Sequence, residues 1–428
     1  MHHSQQPGEI LPQDRPIGPL STMEPLPDNG AYILRVDACL TPGETVHQAS
    51  VLCRNGLIEA MGAFASLTAL AGEVPCIDMR GCQAIPGLVA THLHGSGGVG
   101  TMDAGQVESL APISQMLARH GVTSFISTLL SAPQAKMLEV ADALSQLDEQ
   151  TLPGAVPLGL HYEGPYLRVE KRGAQRKRYI RPIELGEARE LLAAGRGKVR
   201  MMTIAPELKD SEQLIELLLE FNAIPSMGHS LADENAVIRA IDCGATRVTH
   251  LYNGTTRLDQ RNSGLTAVAL VDDRVTIELI ADGIHVHPVM LEIACRTKPL
   301  DRIVGISDAT QGAGLKDGLY HLGDDRVEIA NGWCRRYVDG RLAGSCLTLD
   351  RAMRNLPKFA SLKREQVLAC FTRNPAVSLG FHDRGVLLPG KRADIAVVDA
   401  DWNVRMTIVG GRVVYDARTA ELPENWAE

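Results

Sequence analysis

Two histidines, His92 and His94, sit two residues apart at the end of an apolar run, and four more groups, Glu163, His229, His250 and Asp308, each follow an apolar run of their own. Two residues apart in an extended segment, the paired imidazoles project from the same side and offer two nitrogens to one ion. Imidazoles and carboxylates together suit zinc or a similar divalent ion that keeps an open position for water. Such an ion lowers the pKa of bound water from about 15.7 to about 7. Asp308 then fits a proton shuttle, taking a proton during attack on a carbonyl and returning it to a leaving nitrogen. Each residue alone has a plainer reading. A single strand-end histidine usually hydrogen-bonds within the core, and a single aspartate usually caps a helix; the recurrence of all six at run ends is what argues for a site.

Groups so far apart in the chain need a scaffold that returns every strand to one face. Eight runs read as strands: GLVATHLH, TSFISTLL, VPLGLHYE, VRMMTIAP, AIPSMGH, RVTHLYN, VTIELIAD and RIVGISDAT. Between several of them lie amphipathic stretches, such as DSEQLIELLLEF and ADENAVIRAIDCG, with apolar residues near i, i+3, i+4 and i+7. This alternation is the rhythm of a parallel sheet covered by helices, and eight strands close a (β/α)₈ TIM-type barrel whose site lies at the strands' carboxyl ends. The short β-type runs before and after it predict a small β-sandwich built from both chain ends. The boundaries expected are a flexible segment over 1–30, the first part of the sandwich over 31–85, the metal-dependent barrel over 86–384 and the second part of the sandwich over 385–428. The stretch from Gly312 to Leu349 fits this rhythm less well and reads as an excursion before the last helix.

With 428 residues, 45% of them apolar, the chain can bury one barrel and a smaller appendage. Its nine cysteines form no CxxC pair, so they read as small core residues in a reducing compartment and not as a thiolate zinc site. A formal charge of −8 argues against a nucleic-acid partner, so an anionic substrate must be held by a few local cations. No run of eighteen apolar residues is present, and the start MHHSQQPGEILPQDRP lacks the layout of a secretion signal. No membrane association and a cytoplasmic location are therefore expected. Gly95 to Gly100, GSGGVG, matches the dinucleotide pattern GxGxxG, yet no acidic residue ends a second strand about twenty residues on. The loop is read instead as glycines that let backbone approach a ligand.

From about residue 31 onward the chain resembles the amidohydrolase superfamily, and within it the N-acetylglucosamine-6-phosphate deacetylases. The resemblance rests on IPGLVATHLHG, GTMD, HYEGPYL, KRGA, MGHS, THLYN, ADGIHVHP, SDAT, LAGSCLTLD, NPAVSLG and GVLLPGKRADIAVVD, in that order. It implies hydrolysis of the N-acetyl amide of an amino-sugar phosphate, with a homodimer as the assembly. It implies that Glu163, His229 and His250 hold the principal ion, and that His92 and His94 with Asp308 hold a second. One or two divalent ions per subunit are expected, zinc foremost, with iron, cobalt and manganese as alternatives. The phosphate contacts implied are Asn253, Gly254 and Arg261, with His285 reaching in from a neighbouring subunit; the sugar contacts are Ala174, the segment Asp282 to His285, and Leu342, Ala343 and Gly344. The chain departs from the family at Ala90, where an aspartate is usual, and at Gln175, where a histidine usually helps to polarise the substrate carbonyl. Gln175 is carried over to that catalytic role as a neutral donor, and its presence opens the alternative of an amidohydrolase acting on a different N-acyl or amide substrate.

Overall fold

The protein is described here by a computed structural model covering residues 30–103, 107–148 and 152–420. The flexible segment expected over 1–30 lies, but for Gly30, outside the described residues.

Eight strands form the barrel: β1 (Leu88–Ala90), β2 (Val122–Leu130), β3 (Val156–Glu163), β4 (Val199–Ile204), β5 (Ile224–Met227), β6 (Arg247–Val248), β7 (Thr276–Ile280) and β8 (Ile303–Ile306). They lie side by side in chain order, and each neighbouring pair is parallel. Almost every residue of these strands is buried, as expected of parallel strands covered on both faces. Closure is made just beyond β1 and β8. Leu93 and Ala309 form an isolated parallel bridge there, His94 N–H donates to Ala309 O (2.7 Å) and Asp308 N–H donates to His92 O (3.1 Å). The seam of the barrel is thus sewn by the residues expected to carry chemistry, and that is what places His92 and His94 beside Asp308.

The covering helices follow from their apolar stripes. Along Ser211–Glu220 the residues Leu214, Ile215, Leu217 and Leu218 are buried, each worth about 1.5–3 kcal/mol of transfer free energy. The helix Glu234–Asp242 starts at Asp233, whose carboxylate accepts the N–H of Ala236 at 2.8 Å. Gly305 in β8 has no substitute, since a Cβ there would lie 2.1 Å from the Phe371 ring of the helix Arg364–Phe371.

The two chain ends meet in one sheet of six strands. Gln83–Pro86 pairs antiparallel with Ile395–Val398 and parallel with Ala38–Thr41, so the entrance to the barrel and its exit share a ladder. A second sheet joins Tyr32–Arg35, Ser50–Arg54, Leu57–Gly62 and Cys76–Asp78. Leu34, Val51, Cys53 and Ile58 of this sheet pack with Ala84, Ile395, Val397 and Met406 of the other in one apolar cluster, which makes a sandwich from both ends.

The Gly312 to Leu349 excursion is an antiparallel sheet of Gly318–Leu322, Asp325–Ala330 and Trp333–Arg336. It folds back towards the strands' carboxyl ends, where Arg176 Nη2 donates to Asp325 Oδ1 at 2.8 Å. Its residue Leu322 reaches the wall of the site cavity.

Candidate metal centre

Six side chains at the end of β3 or just past β1, β5, β6 and β8 converge on one buried cluster. Glu163 closes β3, and its Oε1 lies 3.0 Å from His229 Nε2 and 2.9 Å from His250 Nε2, with those two nitrogens 3.1 Å apart. On its other side His94 Nε2 lies 3.4 Å from Glu163 Oε2 and 3.2 Å from Asp308 Oδ1. His92 Nε2 stands 3.5 Å from Asp308 Oδ1 and 3.7 Å from Glu163 Oε1. Two overlapping ligand sets result, Glu163 with His229 and His250, and Glu163 with His92 and His94.

The chain bends sharply to present these groups. His229 (φ 48°), His250 (φ 31°) and Asp308 (φ 51°) all adopt left-handed backbone just past β5, β6 and β8. Each such residue costs on the order of 1–3 kcal/mol, and such strain gathers at functional sites. It also explains why RVTHLYN holds only two strand residues before turning away. Gly254 (φ 60°) serves the same end, because a Cβ there would lie 3.0 Å from His229 Nδ1 and 3.1 Å from Lys171 O.

Which ring nitrogen faces inward is set by the surroundings. His229 Nδ1 donates to Lys171 O at 2.8 Å, and His92 Nδ1 donates to Glu278 Oε2 at 3.0 Å, so both Nε2 lone pairs point into the cluster. His92 Nε2 is buried without a hydrogen-bond partner among the described residues. A ring nitrogen lone pair aimed into a space shared with two carboxylates fits a divalent cation, and the donor set of imidazole and carboxylate suits it.

Glu278 and Arg247 were not among the residues singled out from the sequence. Both are fully buried in the barrel: Glu278 Oε1 accepts from Arg247 Nε (3.0 Å) and Nη2 (2.9 Å), while Oε2 holds His92 and also accepts His250 N–H at 3.2 Å. Arg247 donates further to Thr91 Oγ1 and Ser378 Oγ. One buried ion pair therefore grips a histidine from each ligand set. Their signal was a charge inside the apolar runs VTIELIAD and RVTHLYN, where only a partnered charge is tolerated.

Electrostatics follow from the crowding. Burial opposes a charge on His94, yet hydrogen bonds and attraction from Asp308 and Glu163 outweigh it and push the imidazole up to about 10. Burial opposes ionisation of Glu163 too, but His229, His250 and His94 hold its carboxyl well below the usual range. An imidazolium cannot ligate, so a bound ion must displace the His94 proton. Metal affinity of the purified protein is expected to rise steadily from pH 7 to pH 9, with protons released in step, as measured by calorimetric titration in buffers of different protonation enthalpy. Affinity unchanged across that range would contradict it.

The other expected site residues divide. Ala174, Gln175, Asn253, Gly254, His285, Leu342 and Gly344 line a cavity with His94, Glu163, His229, His250 and Asp308. Asp282 supports that wall from behind, its Oδ2 accepting from His285 Nδ1 at 2.6 Å. Ala343 instead packs into the core of the small antiparallel sheet. His285 lines the cavity of its own chain, where Asp282 clamps it. Arg261 is exposed and lines no part of the cavity: Asp259 Oδ1 accepts the N–H groups of Arg261 and Asn262, turning that stretch towards solvent. Gln175 is fully engaged. Its Nε2 donates to Glu163 Oε2 (2.8 Å) and Glu163 O (2.9 Å), and its Oε1 accepts Ser131 N–H (2.9 Å). The amide is thus directed at the ligand Glu163 and not at a substrate carbonyl.

Comparison with known proteins agrees with this architecture. The model of the "Amidohydrolase family" matches residues 84–414. The N-acetylglucosamine-6-phosphate deacetylase of Bacillus subtilis is 33% identical over 79% of this chain and 86% of its own length. The N-acetylgalactosamine-6-phosphate deacetylase of Escherichia coli O157:H7 is 32% identical over 89% of this chain and 99% of its own. Among solved structures, a mutant N-acetyl-D-glucosamine-6-phosphate deacetylase from Mycobacterium smegmatis in complex with N-acetyl-D-glucosamine-6-phosphate superposes with a TM-score of 0.82 at 30% identity, covering 90% of this chain and 99% of that one. A chain so alike along its length, carrying its ligand groups at the mouth of the same kind of barrel, belongs to the amidohydrolase family and within it to the N-acetylglucosamine-6-phosphate deacetylases.

Proposed function

We propose that the protein hydrolyses the N-acetyl amide of N-acetylglucosamine 6-phosphate to glucosamine 6-phosphate and acetate. The observation that carries this reading is Asp308 Oδ1, a buried carboxylate oxygen 3.2 Å from His94 Nε2 at the edge of the ligand cluster. Glu163, His229 and His250 would hold one divalent ion, with His92 and His94 flanking a second position. When bound, the ion makes water nucleophilic at neutral pH and polarises the carbonyl.

The chain's own groups do the rest. Burial opposes ionisation of Asp308, but His94 and His92 keep its carboxyl below the usual range, so it is ready to accept a proton. Water adds across the amide: its oxygen joins the carbonyl carbon, Asp308 takes one proton, and the C–N bond breaks as Asp308 returns that proton to nitrogen. Gln175 keeps Glu163 oriented throughout. Asn253, Gly254 and His285 bound the side of the cavity that a sugar ring would occupy.

Zinc is the ion proposed, with iron, cobalt or manganese as the alternatives that metal analysis distinguishes. A cytoplasmic setting is in keeping with nine free cysteines, most of them buried, since thiols persist in reducing compartments; no described helix is long and apolar enough to cross a membrane. A homodimer is part of the proposal and is tested by sizing in solution. Amine release from a panel of N-acyl hexosamines, with and without a 6-phosphate, tests the whole. N-acetylglucosamine 6-phosphate should be turned over at least about tenfold faster than unphosphorylated N-acetylglucosamine, on the strength of one charged hydrogen bond to phosphate. Indifference to phosphate would favour the other reading, an amidohydrolase for a different acyl amide, which the exchange of histidine for Gln175 permits.

A further inference from the structure

The cavity at the ligand cluster, about 160 Å³, abuts a larger space of about 460 Å³, and four residues line both: Leu130, Ala174, Gln175 and Leu322. The partition they make is dense. Leu322 is buried in the apolar core of the small antiparallel sheet, and Leu130 and Ala174 pack against that core. Gln175 is pinned to Glu163 and to Ser131 N–H. The hairpin turn that follows Leu322 is also tied down. Asp324 Oδ2 accepts from Tyr179 Oη at 2.9 Å, while Asp324 O and Asp325 Oδ1 each accept from Arg176 Nη2 at 2.8 Å. These bonds make the partition a fixed wall.

The direction of the acyl group follows from the barrel. Leu130 ends β2, whereas Asn253 and Gly254 come after β6, four strands further round and so across the mouth of an eight-stranded barrel. An amide is planar and trans, so the carbon on its nitrogen and the carbon on its carbonyl leave in opposite directions. With the carbonyl over the ligand cluster and the sugar against Asn253, Gly254 and His285, the acyl chain runs towards Leu130 and Leu322. An acetyl methyl ends at that wall, and every further carbon must enter it.

We propose that Leu322, carried by the hairpin and not by the barrel, sets the length of the acyl group that this site hydrolyses and closes off the space behind it. The inference rests on the deacetylase reading and deepens it. Of the residues shared by the two spaces, Leu322 is the one that can be cut back without disturbing the site's support: Leu130 lies in β2, Ala174 has only a methyl group, and Gln175 holds Glu163. Behind the wall stand Asp103, Asp324 and Asp325 against Lys136 and Arg176, with Arg176 already paired to two of the aspartates, so the acyl chains this space would take are neutral ones. The reaction is unchanged, with a longer carboxylate released in place of acetate.

The metal-loaded parent and Leu322→Ala are to be assayed on the N-acetyl and N-butyryl forms of glucosamine 6-phosphate. The ratio of kcat/KM for the two is taken within each preparation, which makes it independent of the fraction of active enzyme. The parent should prefer N-acetyl by at least about tenfold, since a methylene that does not fit costs on the order of 10- to 200-fold. Leu322→Ala should move the ratio towards N-butyryl by about 10- to 100-fold. Leu319→Ala, at an exposed position of the same strand, should keep the parent's ratio. The proposal is overturned by a Leu322→Ala ratio within about threefold of the parent's, by an equal shift in Leu319→Ala, or by a parent that takes both acyl groups alike. If Leu322→Ala turns over neither sugar, Leu322→Val replaces it, with a shift in the same direction expected and its absence equally fatal. A parent inert towards both sugars overturns the deacetylase reading instead, so the two failures are told apart.

Discussion

Asp308→Asn is expected to lower kcat for N-acetylglucosamine 6-phosphate by about 10²- to 10⁴-fold, the usual worth of a positioned acid–base group, while the protein still binds its divalent ion. Asparagine keeps the shape of the side chain and an Oδ1 to face His94 Nε2, now 3.2 Å from the carboxylate. It cannot accept and return a proton. The loss corresponds to about 3–5 kcal/mol of transition-state stabilisation, far beyond what a change of polarity at the rim of a cavity causes. Metal content by elemental analysis and kcat by amine release, measured on the same sample, separate the two effects. Turnover within tenfold of the parent, with metal retained, would remove Asp308 from the mechanism. A protein that merely binds sugar phosphates would have no turnover to lose.

The run ends made this much of the site readable before any coordinates. A barrel delivers each strand to the same rim, so apolar runs ending in His92, Glu163, His229, His250 and Asp308 already imply convergence. The orientation of each ligand was less accessible. A charge inside the apolar run VTIELIAD marks Glu278 as partnered, but nothing local in the sequence says that its partners are His92 and Arg247. The Glu278–Arg247 pairing spans 31 positions and exists only because β6 and β7 are neighbours. Gln175 is a similar case: its chemistry as a donor was evident, but its targets, Glu163 and Ser131 N–H, depend on the path of the loop after β3. The small antiparallel sheet did leave a sign. Asn331 (φ 53°) and Gly332 (φ 81°) form the two-residue hairpin turn that an Asn-Gly pair favours, and Asp325–Ala330 alternates in burial as a half-exposed strand does. Arg261 shows the opposite limit, where a residue type suited to phosphate lies on a stretch that Asp259 turns towards solvent.

The buried Glu278–Arg247 pair gives the second large effect, and it can be divided into a structural part and a part that concerns the ligands. Glu278→Leu strands the Arg247 guanidinium in the barrel interior and should destabilise the metal-free protein by about 3–5 kcal/mol. The double variant Glu278→Leu with Arg247→Leu removes both charges and should regain most of that loss, since apolar side chains of similar size often replace a buried pair at little cost. Metal binding should not recover with it. In both variants His92 Nδ1–H loses its acceptor and the His250 backbone N–H loses the carboxylate at 3.2 Å, so the His92 ring is no longer held with its Nε2 towards the cluster and the backbone that presents His250 loses a tether, and affinity should fall by about 10- to 100-fold. Chemical denaturation of the metal-free forms gives the first quantity, and titration with cobalt, followed by its visible absorption, gives the second. If the double variant regained metal affinity together with stability, Glu278 would be a packing element of the barrel with no part in aiming the ligands. If stability returned and cobalt affinity stayed low, the barrel interior beneath the site would be acting on the metal through the histidine it holds.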